Sequence, residues 1–152
     1  MKTAKHILLL SFILIACDQL KEDNQIGPCV HTYEDPVLHI KSVKNRNTGT
    51  DISKIQIHSL KKDGSPINID STSSVYLIQA SNGYNVTIRD STLVCSIPCG
   101  FGFDEGSYQF VVATDGYRDT IISVNAKYAV SKGGCPSSNS GGSQINIQLQ
   151  PQ

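Results

Sequence analysis

Five cysteines carry the clearest chemical potential in this chain of 152 residues. One of them, Cys17, directly follows an apolar segment. The other four, Cys29, Cys95, Cys99 and Cys135, can form two disulfides in three possible pairings, or they can bind a zinc ion. Only Cys95 and Cys99 are close in sequence, and three residues separate them rather than the two that are common in zinc sites. The spacing therefore favours disulfides if the chain is exported.

For these four cysteines we predict one disulfide from Cys135 to either Cys95 or Cys99, and a second from Cys29 to the remaining cysteine. The first would tie the loop before Tyr108 to the loop after Tyr128. Each bond should add about 2–4 kcal/mol of stability. A four-thiolate zinc site is the alternative.

The other titratable residues form no pattern that suggests catalysis. His31, His39 and His58 are scattered, and two of them fall inside expected strands, where a surface or buried imidazole is commoner than a general base. Asp104 and Glu105 lie in a Gly-rich loop that could bind calcium, although two such acids more often form a solvated turn. We expect no enzyme, no resident metal and no cofactor.

Phe101 and Phe103 alternate with glycines in the segment Gly100–Phe103. Exposed, their flat rings would offer a binding loop for a sugar or a protein, and packed inward they would close the core beneath the loop. Packing inward is the commoner role, and the sequence leaves both open.

The N-terminus reads as an export signal over residues 1–16. Lys2 and Lys5 precede the apolar stretch Ile7–Ile15, which is shorter than the roughly 20 apolar residues of a membrane span. The following Leu14–Cys17 resembles the lipobox of bacterial lipoproteins. That resemblance implies cleavage before Cys17 and attachment of fatty-acyl chains such as palmitate, which hold a protein to a bilayer stably when two or three are present. An ordinary secretory signal followed by a structural cysteine is the alternative.

Residues 17–35 form the expected lipidated tether, which is polar and would span about 23 Å as a coil. Within it Lys21-Glu22-Asp23 is similar to the signal that directs lipoproteins of the Bacteroidetes group to the outer face of the outer membrane. Asp18 instead resembles the inner-membrane retention signal of enterobacteria. We expect a lipid-anchored envelope protein, with the outer membrane and surface exposure favoured and the leaflet open.

Residues 36–150 predict a single β-domain, because apolar and polar side chains alternate in short runs between Gly, Asn, Asp and Ser clusters. We expect an antiparallel Greek-key sandwich of seven or eight strands, transthyretin-like or immunoglobulin-like. The serine-rich Ser137–Ser143 reads as a flexible loop before the last strand. The expected strands are Val37–Val43, Lys54–Leu60, Val75–Ala80, Tyr84–Ile88, Leu93–Ile97, Tyr108–Thr114, Asp119–Val124 and Gln144–Leu149. The expected core stripes are Ile55 with Ile57, Tyr108 with Phe110 and Val112, and Ile145 with Ile147 and Leu149.

Two segments of this domain resemble the carboxypeptidase regulatory-like family. Ser42–Ile57, followed by Asp63-Gly64, is similar to its opening strand, Thr-Gly turn and second strand, and Glu105–Tyr117 is similar to its Gly-x-Tyr strand and Gly-Tyr turn. The resemblance covers about residues 37–125, although residues 67–100 depart from the pattern. It implies a seven-stranded transthyretin-like sandwich without an active site.

Charge excludes one class of partner. The chain holds 13 basic and 13 acidic residues, and loss of Lys2 and Lys5 with the signal leaves a formal charge of −2 without any basic block. Nucleic-acid binding needs clustered cations, so we expect none. Two functions remain, a lipid-anchored module that binds an envelope protein or glycan, and a structural envelope lipoprotein with no ligand. A metal-binding or enzymatic accessory is a distant third. An exposed aromatic patch near Phe101 would favour binding.

Overall fold

A computed structural model of the protein describes residues 29–69 and 85–152, and these form two β-sheets without a helix. The predicted all-β sandwich is confirmed. The strands are β1 (His31–Tyr33), β2 (Leu38–Asn45), β3 (Lys54–Lys62), β4 (Ser65–Pro66), β5 (Val86–Arg89), β6 (Thr92–Ser96), β7 (Cys99–Phe101), β8 (Gly106–Ala113), β9 (Thr120–Ala126), β10 (Tyr128–Lys132) and β11 (Ser137–Leu149). The signal segment, Cys17, most of the tether and the expected strand Val75–Ala80 lie outside the described residues.

The strands divide into two layers. Sheet I runs in the order β1-β11-β2-β7, with β10 also paired to β11. Sheet II runs in the order β5-β6-β3-β8-β9, with β4 also paired to β3. Strand β11 is parallel to both β1 and β2. The sequence analysis expected only antiparallel pairing, and that part of the prediction is wrong.

The core lies between the two sheets and follows the predicted alternation. Ile55 and Ile57 on β3 are buried, and so are Tyr108, Phe110 and Val112 on β8, while the residues between them are more exposed. On β11, Ile147 and Leu149 are buried and Ile145 packs against the core from a half-buried position. Removing these apolar faces from water is the main term that holds the layers together.

A β-bulge in β3 changes which side chain faces inward. Ser59 has a positive φ of 53°, and the register with β8 shifts between His58 and Lys61. The extra residue breaks the period of two, because it places Leu60 in the core three positions after Ile57.

The described residues hold eleven strands rather than seven or eight. The additional ones include β1, β4 and β7, which have two or three residues each and are too short to show alternation in a sequence. The Greek-key connection stays a prediction.

The serine-rich segment expected to be a loop is the first half of β11. Ser137–Asn139 pair with β1, and Ser138–Gly142 pair with β10 on the other side. The last residues of the predicted tether, His31–Tyr33, are β1 itself. Both segments are strands because each supplies the backbone partners that the other needs, although neither has an apolar pattern of its own.

Candidate functional site

An aromatic cluster lies at the end of the sandwich where β1, β10 and the loop before β8 meet. Its members are His31, Tyr33, Phe103 and Tyr128. Ring centroids are 5.2 Å apart for Tyr33 and Phe103, 6.0 Å for Tyr33 and Tyr128, and 4.7 Å for His31 and Tyr33. These separations are typical of favourable aromatic pairs, so the rings support one another's positions.

The members of this cluster differ in their exposure to solvent. Tyr128 is buried, Phe103 is half-buried, and Tyr33 at the surface is 37% exposed. Val30 beside β1 and Val130 on β10 are exposed as well, so three of the four large exposed apolar side chains of the described residues lie on or beside the two strands that flank the first half of β11. The fourth is Ile121 on β9. An apolar surface supported by a buried ring is what a binding site for a partner requires.

A disulfide holds β1 in place. Cys29 is bonded to Cys135, 106 residues later in the chain, with 5.1 Å between the Cα atoms. The bond lies just before β1 and just before β11, which pair in parallel from His31 and Ser137 onward. His31 Nδ1 and Ser137 Oγ share a hydrogen bond of 2.7 Å at the first pair. These contacts fix the strand that carries His31 and Tyr33.

Tyr128 is the centre of the hydrogen bonds beneath the cluster. The single proton of its hydroxyl is shared between the carbonyl oxygens of Phe103 at 2.9 Å and Asp35 at 3.1 Å. Its backbone N–H donates to Glu105 Oε1 at 2.8 Å. Burial is the main cause that raises the pKa of the Tyr128 hydroxyl, and the neighbouring Tyr33 raises it further. The hydroxyl therefore stays protonated and able to donate. The same side chain thus connects the residues after β1 to the loop before β8.

The acidic side chains around this end act as structural acceptors. Asp35 Oδ2 accepts a hydrogen bond of 2.9 Å from the Gly141 N–H. Glu105, which the sequence offered as half of a calcium site, accepts from the Tyr128 N–H, and the neighbouring Asp104 accepts the Tyr108 hydroxyl on its carbonyl oxygen at 2.7 Å. Among the described residues no group of three or more His, Cys, Asp or Glu side chains is placed to hold a metal ion.

Phe101 and Phe103 have different positions, although only one residue, Gly102, separates them. Phe101 is 0% exposed and meets Phe110 edge-to-face at 5.4 Å, so it belongs to the core and cannot form part of a binding loop. Phe103 is the member of the pair that reaches the surface cluster. A positive φ of 78° at Gly102 turns the chain between them.

The predicted disulfide pairing is wrong. Cys135 is bonded to Cys29, while Cys95 and Cys99 are buried and are not bonded to it. The prediction failed because β11 returns beside β1, a parallel pairing that brings residues 106 positions apart together.

The three histidines among the described residues lie apart. His31 belongs to the aromatic cluster, and His58 lies 3.9 Å from Asp119 on the outer face of sheet II. His39 is buried, and its Nε2–H donates to the Pro36 carbonyl at 2.9 Å. Burial lowers the pKa of His39 and outweighs this hydrogen bond, which acts in the opposite direction.

Sequence reasoning missed His31, Tyr33 and Tyr128 as site residues. His31 and Tyr33 stand two apart, a spacing that places both on one face of a strand, but they lie inside the segment expected to be tether. Tyr128 follows a strand after one residue and gives no local sign that its hydroxyl reaches Asp35.

No protein-family model matches the chain, and no curated protein is significantly similar to it. Within the part of the chain that the structure describes, no helix is long and apolar enough to cross a membrane.

Proposed function

We propose that this chain is a lipid-anchored envelope protein whose β-sandwich binds a protein or glycan partner through the aromatic cluster. Cys17 carries the anchor, in keeping with the lipobox-like Leu14–Cys17, and the sandwich has no catalytic role. The carboxypeptidase regulatory-like resemblance supports the same reading, because it implies a domain without an active site.

The observation that carries the proposal is the exposed ring of Tyr33 above Phe103 and Tyr128. A partly exposed aromatic ring can stack on a sugar or fill a depression in a protein, and Tyr is among the residues that supply most binding energy in interfaces. A structural lipoprotein without a ligand would gain nothing from apolar surface left in water.

The site lies near the expected anchor. Residues 18–28 separate Cys17 from Cys29, and even fully extended they reach at most about 40 Å. Since the Cys29–Cys135 disulfide is next to β1, the aromatic cluster is limited to this distance from the bilayer. A partner embedded in the envelope or attached to its surface fits that limit.

Site-specific photo-cross-linking on intact cells tests the binding site. A photoreactive phenylalanine analogue replaces Tyr33 in one variant and Ile121 in a matched control, because Ile121 is 67% exposed on β9 of the other sheet. We expect a discrete adduct from position 33 and none from position 121, and mass spectrometry would identify it as peptide or saccharide.

Equal adducts at both positions, or none at either, would contradict binding through this cluster and would favour the structural role. The anchor is tested separately by the intact mass of the membrane-extracted protein. We expect residues 17–152 plus acyl chains, and a mass without lipid would contradict the anchor while leaving the cross-linking result interpretable.

A further inference from the structure

Two buried cysteines flank the point where the chain crosses from one sheet to the other. Cys95 is on β6 of sheet II, opposite Ile55 on one side and Val86 on the other. Cys99 begins β7 of sheet I, opposite Ile40. Both side chains face the core and are 0% and 1% exposed. The two thiols thus approach the same interior from opposite layers.

The crossing between these cysteines is short and held by backbone hydrogen bonds. The N–H of Ser96 donates to Asn85 and the N–H of Ile97 donates to Ser53, at 2.9 and 2.8 Å. Cys95 and Cys99 are free thiols in the structure, and they are close enough for Cys99 to raise the pKa of Cys95. Packed sheets are ordinarily about 10 Å apart, so thiol contact between layers requires a tight crossing such as this one. A disulfide needs Cβ atoms about 3.5–4.5 Å apart, and rotation about each χ1 then brings the two sulfur atoms together.

We propose that Cys95 and Cys99 form a second disulfide, which joins the two sheets through the core. Each thiol gives up its proton and the pair gives up two electrons as the S–S bond forms. A protein thiol oxidoreductase of the export compartment accepts the electrons, and its own disulfide is reduced to two thiols. This inference depends on the proposed export of the chain, because such oxidants act outside the cytoplasm.

Burial decides when the bond forms. Thiol exchange requires a thiolate and access for the oxidant, and the core provides neither. The neighbouring Cys99 and burial both raise the pKa of Cys95, so the thiol is not ionised in the folded protein at neutral pH. Oxidation therefore precedes closure of the two sheets, and the finished bond is shielded from reductants.

Differential alkylation of the membrane-extracted protein tests the pairing. The protein is unfolded with a light alkylating agent, then reduced and treated with a heavy one, and each cysteine is assigned by peptide mass. Cys95 and Cys99 lie in one tryptic peptide, because no Lys or Arg occurs between Arg89 and Arg118. We expect both to carry the heavy label, and the unreduced peptide to be lighter by two hydrogens.

The exposed pair Cys29 and Cys135 serves as the internal control. Heavy label on that pair with light label on Cys95 and Cys99 would overturn the inference and leave export intact. Light label on all four would contradict export itself. The Cys95–Cys99 bond would then be tested on the purified chain.

For the purified chain, the variant Cys29→Ser/Cys135→Ser is reduced, unfolded and refolded with oxidised glutathione. Loss of two hydrogens in the Asp90–Arg118 peptide, with a melting temperature roughly 5–10 °C above that of the reduced form, supports the bond. Two free thiols in the refolded protein would overturn it, whatever compartment the chain occupies.

Discussion

At one end of the sandwich the rings of Tyr33, Phe103 and Tyr128 are in contact, whereas at the opposite end Tyr117 meets Asn45 and the last residues of the chain. The first, which we call the aromatic end, leaves apolar surface in water. The second, which we call the turn end, consists of the Asn45–Thr50 and Asp115–Gly116 turns.

The turn end is closed by polar contacts. Asn45 Oδ1 accepts the N–H groups of Asn47 and Thr48, and Asn45 Nδ2 donates to the Tyr117 hydroxyl at 3.1 Å. The Gln152 N–H donates to Gly116. The chain can therefore close a sandwich end with polar groups. Ile121, at the start of β9, is the one large exposed apolar side chain of the described residues near this end, and no aromatic cluster accompanies it. The difference is consistent with a partner at one end only.

The largest difference between the ends is expected at two glycines. Gly142 is buried at the aromatic end, where an added Cβ would collide with the carbonyl oxygens of Pro36 and Val37. Gly142→Ala should cost about 3 kcal/mol or more, because β11 would have to move away from residues 36 and 37. Gly116→Ala at the turn end should cost about 1 kcal/mol, since its φ of 82° is unfavourable but nothing lies within 4 Å. Guanidinium unfolding midpoints measure both effects. Equal losses in the free energy of unfolding would contradict the expected difference between the two ends.

A smaller difference is expected at the tyrosine hydroxyls. Tyr128→Phe leaves the carbonyl oxygens of Phe103 and Asp35 without their donor and should cost about 1–3 kcal/mol. Tyr117→Phe removes one half-exposed hydrogen bond and should cost about 0.5–1 kcal/mol. The same unfolding measurement applies, and a larger loss from Tyr117→Phe would contradict the assignment of Tyr128 as the centre of the cluster.

The aromatic end should also be the more sensitive to mild acid through His39. Its pKa in the folded protein is lowered from 6.5 by burial, so the unfolded chain takes up the proton first as the pH falls. The stability that neutral His39 provides is complete above about pH 6.5 and is lost as the pH falls below it toward the folded pKa. Unfolding free energies measured between pH 7.5 and 5 should decrease.

His39→Gln is the matched variant for this pH dependence, because an amide can still donate to the Pro36 carbonyl but does not titrate. Its stability should change less than that of the parent protein over the same range. An unchanged slope would show that another group is responsible. Asp63 is not that group, because its pKa is lowered from 3.8 by the Ser107 N–H and Lys62, and it acts only in stronger acid.

The smallest effect on stability is expected for Tyr33→Ala. The ring is partly exposed, so its removal should change the free energy of unfolding by about 1 kcal/mol or less, close to the effect of Ile121→Ala on β9. Affinity for the partner captured at position 33 should instead fall about tenfold or more, with no change for Ile121→Ala. Similar affinities for the two variants would contradict a role of the aromatic cluster in binding.

The fold class and most of the core could be predicted from the sequence alone, because strand alternation is a local property. Ile55, Ile57 and Phe110 could be assigned to the interior from a spacing of two alone. The export signal and lipidation of Cys17 stay predictions from local sequence of the same kind.

Long-range contacts, in contrast, set the cysteine pairing, the strand character of Ser137–Ser143 and the different positions of Phe101 and Phe103. Each depends on which distant segments become neighbours, and β11 beside β1 is a parallel contact that no local pattern encodes. The aromatic cluster has the same origin, since its rings come from three segments of the chain that meet only when the two sheets close.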